Sequence, residues 1–280
     1  MKRTLVLLAA LFVSTFTFSQ KIVVRAAKEG DGIISIMSYN IRHGKGMDGK
    51  VDFDRIAKEI SLVSPDVVAL QEVDVKTNRI GGVASDSVIA AKAGGYNHYF
   101  SSAMDFNGGK YGNAVLSKLP ALSVTPVPLA GTDEPRVMLV AEFENYFFCS
   151  LHLSLDSTSR IEAAKTICET AEKMADGKLF FIAGDFNTSV SSVEMNILLN
   201  HFDILSPYQL KTFPSDKPDR TLDYVMVLKN SKGKKLVREF NFKKTLSSWV
   251  QPEPIASDHR PVFVVIIKGD LLYSATVMEY

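Results

Sequence analysis

The chain has 280 residues, with 32 basic and 31 acidic side chains, a net charge of +1 and two cysteines. A charge this close to zero excludes the strong positive field on which sequence-independent nucleic-acid binding relies. Two thiols, Cys149 in an apolar run and Cys168 on a helical pattern, exclude a disulfide framework and are expected to be separate and buried.

The chain opens with Lys2-Arg3, an apolar stretch from Leu5 to Phe18 and then Ser19-Gln20, with Thr17 and Ser19 small enough to flank a cleavage point. A spanning helix needs roughly 20 residues, more than this stretch supplies, and no second long apolar run follows. Residues 1–19 are therefore expected to be an export signal, which directs the mature protein to the periplasm or beyond; a retained anchor is the alternative. Without Lys2 and Arg3 the net charge falls to about −1. Residues 20–280 contain no linker or repeat and read as one domain, expected to be monomeric.

Ile33 to Met37 has strand character and leads into Asn40. Asp54 to Val63 carries Ile56, Ala57, Ile60 and Val63 at helical spacing, with an acid near its start where the helix dipole favours one. Val67 to Leu70 is a buried-strand run that continues into Gln71-Glu72, and two polar groups in that position demand partners. Ser85 to Ala93 predicts a second helix. Strands follow at Tyr111 to Leu116, Ala121 to Val127, Arg136 to Phe143 and Tyr146 to Leu151, the last two joined by the turn signal Glu144-Asn145. The final strand of that group leads into His152. Ser157 to Met174 is a third amphipathic helix behind the cap candidates Asp156-Ser157.

Leu179 to Ala183 is another strand run, followed by Gly184-Asp185-Phe186-Asn187. A turn accounts for that tetrapeptide; equally, a carboxylate and a carboxamide two residues apart on extended chain share one face. Late strands are expected at Leu222 to Leu228, Leu236 to Phe242 and Pro261 to Ile267, with Ser257-Asp258-His259 ahead of the last. Asp223 opens a core strand and needs a partner, for which a histidine is the obvious choice. Lys229 to Lys244, with seven basic residues, reads as a solvated hairpin. Strands with interspersed helices point to two sheets covered by helices.

The polar residues at these strand ends are hard oxygen donors, asparagines and histidines, with no cysteine among them. That inventory suits magnesium (Mg2+) or manganese (Mn2+) acting on a phosphate and does not suit structural zinc. Arg136 and Arg160 are both candidates to clamp a phosphate, a surface helix arginine being the default reading of Arg160, and His43, His98 and His201 read as surface or structural. Two other chemistries fail. Gly44 to Lys50 has the spacing of a phosphate-cradling loop, but Val51 stands where a hydroxyl is needed. There is no Gly-x-Ser-x-Gly elbow for a serine nucleophile.

In order, Met37-Ser-Tyr-Asn-Ile41, Leu70-Gln-Glu-Val73, Tyr111-Gly-Asn-Ala-Val-Leu-Ser117, Ser150-Leu-His-Leu153, Gly184-Asp-Phe-Asn187, Leu222-Asp-Tyr224 and Ser257-Asp-His259 resemble the endonuclease/exonuclease/phosphatase superfamily over about residues 33–267. The resemblance implies an α+β four-layer sandwich, two mixed sheets face to face with helices on both outer faces, and a site where the strand ends meet. Carried over position by position, it makes Glu72 the main metal ligand, aided by Asn40 and Asp258. Asp185 corresponds to the residue that activates water, and Asn187 and His152 to contacts of the scissile phosphate. Asp223 and His259 correspond to an Asp-His pair. Asn113, within the Tyr111–Ser117 block, and Arg136 are expected to bind substrate.

One departure stands out. Deoxyribonuclease-like members pair their first histidine with an acid, whereas Tyr99 to Met104 has no carboxylate, so His152 is expected to act as a neutral donor. The expected activity is metal-dependent hydrolysis of a phosphodiester or phosphomonoester by in-line attack of water. A nuclease and a sphingomyelinase-type lipid phosphodiesterase are the rival enzymes, and an inactive binding module on the same scaffold is the non-enzymatic rival. No long basic and aromatic insertion is present to grip duplex DNA.

Overall fold

A computed structural model describes residues 33–132, 134–229 and 244–267. Twelve strands and four helices are found among them: β1 Ile33–Asn40, α1 Phe53–Val63, β2 Val67–Val75, α2 Ser85–Lys92, β3 Asn97–Phe106, β4 Gly109–Ser117, β5 Ser123–Leu129, β6 Arg136–Glu142, β7 Tyr146–His152, α3 Ser157–Met174, β8 Leu179–Asp185, α4 Val193–His201, β9 Phe202–Ile204, β10 Asp223–Leu228, β11 Lys244–Val250 and β12 Val262–Ile267. The strands form two six-stranded mixed sheets, ordered β11-β12-β1-β2-β4-β3 and β5-β6-β7-β8-β10-β9. Among the described residues only β1/β2 and β7/β8 pair in parallel.

Period-two alternation sorts the apolar side chains into layers. Ile36, Val67, Ala69, Val115, Phe148, Phe181, Ala183 and Val225 fill the space between the sheets. Met37, Val68 and Leu70 point the other way, toward Ile56 and Ile60 of α1 and Ile89 of α2. On the second sheet Cys149, Phe180 and Ile182 pack outward on Ala164, Ile167 and Cys168 of α3 and on Met195 and Leu198 of α4. The molecule is thus a four-layer sandwich. Central strands buried on both faces explain why they read as continuous apolar runs. Each fully buried aromatic or branched side chain contributes about 1.5–3 kcal/mol relative to exposure.

Helix starts follow their caps. Asp52 accepts from the backbone of Asp54 and Arg55 at α1, Asp156 from Ser159 at α3, and Ser192 from Met195 at α4. Cys149 and Cys168 are both buried and unbonded.

Four elements were not expected. β3 is an edge strand of mostly polar, half-exposed residues, so it lacks an apolar signature. α4 is short and buries only Glu194, Met195 and Leu198. β9 is three residues long, and β11 follows the basic stretch and pairs with β12. The strand expected at 236–242 and most of the basic stretch lie outside the described residues. Arg160 is a correction: its side chain is only 12% exposed and pairs with buried Glu194. It also donates to the carbonyls of Ser154 and Leu155, tying α3 and α4 to the loop behind His152.

Candidate active site

The inner faces of both sheets turn polar at one end. Asn40 continues the inward phase of Ile36 and Ser38, Asp185 that of Phe181 and Ala183, His152 that of Phe148 and Ser150, and Asp223 that of Val225 and Val227. Register brings them level, since Asp185 lies opposite both His152 on β7 and Asp223 on β10. Beneath them the sheets are stitched together. Gln71 Nε2 donates to Ser150 Oγ at 3.2 Å, Ser150 Oγ to the Leu70 carbonyl at 2.9 Å, and Asn113 Nδ2 to the Val137 carbonyl at 2.7 Å.

Gly184 belongs to the strand and not to a turn. A Cβ there would lie 2.0 Å from the Leu151 carbonyl, so only glycine lets β7 and β8 approach in front of Asp185. The turn comes at Asn187, whose φ is +50°. Its backbone N–H donates to Asp185 Oδ1 at 2.9 Å, which fixes that carboxylate.

Asp185 Oδ2 is the hub. Asn40 Nδ2 donates to it at 3.1 Å, His259 Nε2 lies 3.4 Å away and His152 Nε2 3.5 Å away. His259 Nδ1 is 2.9 Å from Asp223 Oδ2, and the Phe213 ring sits 4.7 Å from the imidazole. Burial and the Asp223 charge push the Asp185 carboxyl up to about 7, against the pull of His259 and of the hydrogen bonds from Asn187 and Asn40. Burial disfavours a charged His259, yet Asp223 and Asp185 overcome it and raise the imidazolium to about 10. Burial, with Arg136 and His259 nearby, drives His152 well below the usual histidine range.

Glu72 reaches the site through a β-bulge. Gln71 and Glu72 together face Asn113 on β4, and Glu72 adopts φ +55°. Asn40 Nδ2 donates to Glu72 Oε1 at 3.0 Å. Burial first, then the Asp258 charge, raises the Glu72 carboxyl, while Asn40 and His259 lower it. Asp258 Oδ2 meets Arg42 Nε at 3.2 Å, and Ser257 Oγ holds the Asn40 carbonyl at 2.7 Å. The tight turn at Arg42 and His43, with φ near +45° at both, aims Arg42 at Asp258. Thr212 and Ser215 brace the histidine loop, the Thr212 carbonyl accepting from Arg260 N–H and Ser215 Oγ donating to the Ser257 carbonyl.

Eight of the expected residues, Asn40, Glu72, His152, Asp185, Asn187, Asp223, Asp258 and His259, therefore converge at one end of the sandwich. Asn113 and Arg136 border it, Asn113 with its amide engaged by the opposite sheet and Arg136 behind His152, NH1 lying 3.2 Å from Nδ1. Sequence patterning missed Tyr111, a buried hydroxyl raised mainly by burial and also by Glu72 and Glu134, as well as Arg42, Ser257 and Phe213. Two of these left a trace in the sequence without a role attached, Tyr111 as the inward-phase residue two before Asn113 and Ser257 as the head of Ser257-Asp258-His259.

The donor chemistry suits a divalent cation. Asp185, Asp223 and His259 offer ligand atoms within 4.8 Å of one another, but the short Asp223–His259 contact makes that trio a proton-holding group. Among the described residues Glu72 has only the neutral Asn40 amide as a hydrogen-bond donor and lies under the field of Asp258, so it is the carboxylate most in need of a cation.

The model of the endonuclease/exonuclease/phosphatase family matches residues 37–259, and the chain belongs to that family of phosphoester hydrolases. Solved structures agree in fold. An endonuclease/exonuclease/phosphatase of Beutenbergia cavernae is 21% identical with a TM-score of 0.64, the match covering 85% of this chain and 72% of that one. A mannosyl-6-phosphatase of Bacteroides thetaiotaomicron is 17% identical with a TM-score of 0.67, covering 84% and 99% respectively. Truncated TDP2 of Caenorhabditis elegans is 14% identical with a TM-score of 0.63, covering 84% and 97%. No curated protein sequence matches the chain significantly. No helix among the described residues is long and apolar enough to cross a membrane.

Proposed function

We propose that the protein is an exported, monomeric, magnesium- or manganese-dependent hydrolase of a small phosphate ester. The observation that carries this reading is Asp185 Oδ2 within 3.5 Å of Asn40, His152 and His259, with Asp223 behind His259. A carboxyl held up to about 7 by burial is matched to taking a proton from water near neutral pH.

In the reaction, Asp185 orients the attacking water and accepts its proton. Asn187 and His152 donate hydrogen bonds to phosphoryl oxygens. His259, charged and oriented by Asp223, faces the oxygens where negative charge grows. Glu72, Asn40 and Asp258 would hold the cation, which when bound neutralises phosphate charge as a Lewis acid. No transfer to a side chain is needed, because positioning and electrostatics account for such hydrolysis.

The mature charge of about −1 supports a small or lipid-borne ester over long nucleic acid. Similarity to the mannosyl-6-phosphatase of B. thetaiotaomicron supports including sugar phosphates among the first substrates. The test is turnover of sugar phosphates, inositol phosphates, sphingomyelin, simple phosphate esters and nucleic acid, with and without magnesium, by wild type and Asp185→Asn. Metal-dependent release of phosphate or alcohol that vanishes in Asp185→Asn is expected. No turnover of any ester with either metal would overturn the reading. The mass of the protein recovered from the producing cell tests removal of residues 1–19.

A further inference from the structure

His152 stands among groups whose demands conflict. Arg136 NH1, from β6, lies 3.2 Å from Nδ1. On the other edge of the ring, Nε2 lies 3.0 Å from Asn187 Nδ2 and 3.5 Å from Asp185 Oδ2. His259 adds a positive charge from the loop before β12, and Glu134 sits behind Arg136 at 3.2 Å from NH2. A guanidinium carries only donors and does not lose its proton in proteins. Nδ1 must therefore present its lone pair to Arg136. Neutral imidazole has one N–H, so the proton resides on Nε2. The amide of Asn187 offers no comparable competition, because hydrogen bonds from a charged donor are roughly twice as strong as neutral ones. Asn187 already donates to the Leu153 carbonyl at 2.9 Å, which leaves its second N–H for a ligand.

We propose that Arg136 is a positioning residue that locks His152 as the Nε2–H tautomer, making it a fixed hydrogen-bond donor to substrate and not a proton carrier. The inference rests on the reading of this cluster as a phosphohydrolase site. The Arg136 side chain is 4% exposed and meets the ring edge facing away from Asp185, so it acts through His152 without touching substrate. Glu134 balances the guanidinium charge, and a carboxylate at the position of Arg136 would select the opposite tautomer and favour imidazolium.

The experiment measures the ring-nitrogen shifts of the full chain labelled with 15N-histidine, the His152 signal being assigned with His152→Gln. In wild type, Nε2 is expected to be protonated and Nδ1 bare, with no titration between about pH 5 and 9, bracketing the ordinary histidine value. Arg136→Met is expected to give exchanging tautomers or an ordinary titration, with kcat lowered roughly 10- to 100-fold on the most active ester and KM changed less than about threefold. Arg136→Lys, which still donates, should keep the wild-type ring state and most of kcat. A wild-type ring protonated on Nδ1, or titrating like a free histidine, overturns the proposal even if Arg136→Met fails to fold. So does an Arg136→Met protein with unchanged ring shifts and a raised KM, the signature of a direct substrate contact. Wild-type ring states as expected without turnover of any ester would support the tautomer and fault only the phosphohydrolase reading.

Discussion

Asp185 and Asp223 are direct cross-strand partners on β8 and β10, and His259 stands against both, Nδ1 at 2.9 Å from Asp223 and Nε2 at 3.4 Å from Asp185. Like charges facing across a ladder repel. One imidazolium between them relieves that repulsion, while burial holds the Asp185 carboxyl up at about 7. The pairing thus leaves Asp223 bound to His259 and Asp185 ready to exchange a proton.

Removing the exchanging carboxylate should abolish chemistry and leave the fold. Asp185→Asn keeps the shape and the hydrogen bond from Asn187 N–H, so unfolding should remain cooperative while kcat/KM falls about 10³-fold or more. Steady-state kinetics together with a thermal melt check this. An Asp185→Asn enzyme within a factor of ten of wild type would remove Asp185 from the role of base.

Glu72 is expected to carry the response to metal. Magnesium at about 100 times its dissociation constant should stabilise wild type by roughly 2.7 kcal/mol. Glu72→Ala should lose both that stabilisation and activity without losing its structure, since the residue lies half-buried in a bulge at the end of the sheet's inner face. Melting with and without magnesium gives the comparison, and a metal-responsive, active variant would move the ligand role elsewhere.

Duplex DNA should be a poor substrate. Its binding depends on many phosphate contacts and falls steeply with salt, and a net charge of +1 over 280 residues supplies no such field. Turnover of plasmid DNA and of the ester panel at near-physiological salt should favour an ester. Plasmid nicking faster than every ester would reverse the order in favour of a nuclease.

His43 should weaken the fold in mild acid. Burial, Arg79 and other nearby cations hold it down at about 4, against 6.5 for a free histidine. The unfolded chain therefore takes up a proton that the folded chain refuses, and the His43 contribution, fully present above about pH 6.5, is lost as pH falls toward 4. His43→Asn tolerates the φ of +46° at this turn and should flatten the fall in Tm over that window. Melting curves of both proteins across it decide, and parallel slopes would rule His43 out as the cause.

What the sequence alone determined is the framework. Apolar runs that end in Asn40, His152 and Asp185, or begin at Asp223, are local features: a strand buried on both faces must be apolar until it leaves the core, and polar groups at its end need partners there. Period two then puts each of them on an inner face without any knowledge of neighbouring strands. Tertiary structure decided the rest. Which face Glu72 serves depends on a bulge opposite Asn113, and a bulge exists only as a mismatch between two strands. Gly184, which equally suits a turn in sequence, is required by the carbonyl of Leu151 on another strand. Arg160 turned from an expected surface arginine into a buried tie because Glu194 lies on a different helix. The partner of His152 is likewise Arg136, sixteen residues earlier on the adjoining strand. A side chain's protonation state follows from what stands next to it in space, and chain order carries no record of that.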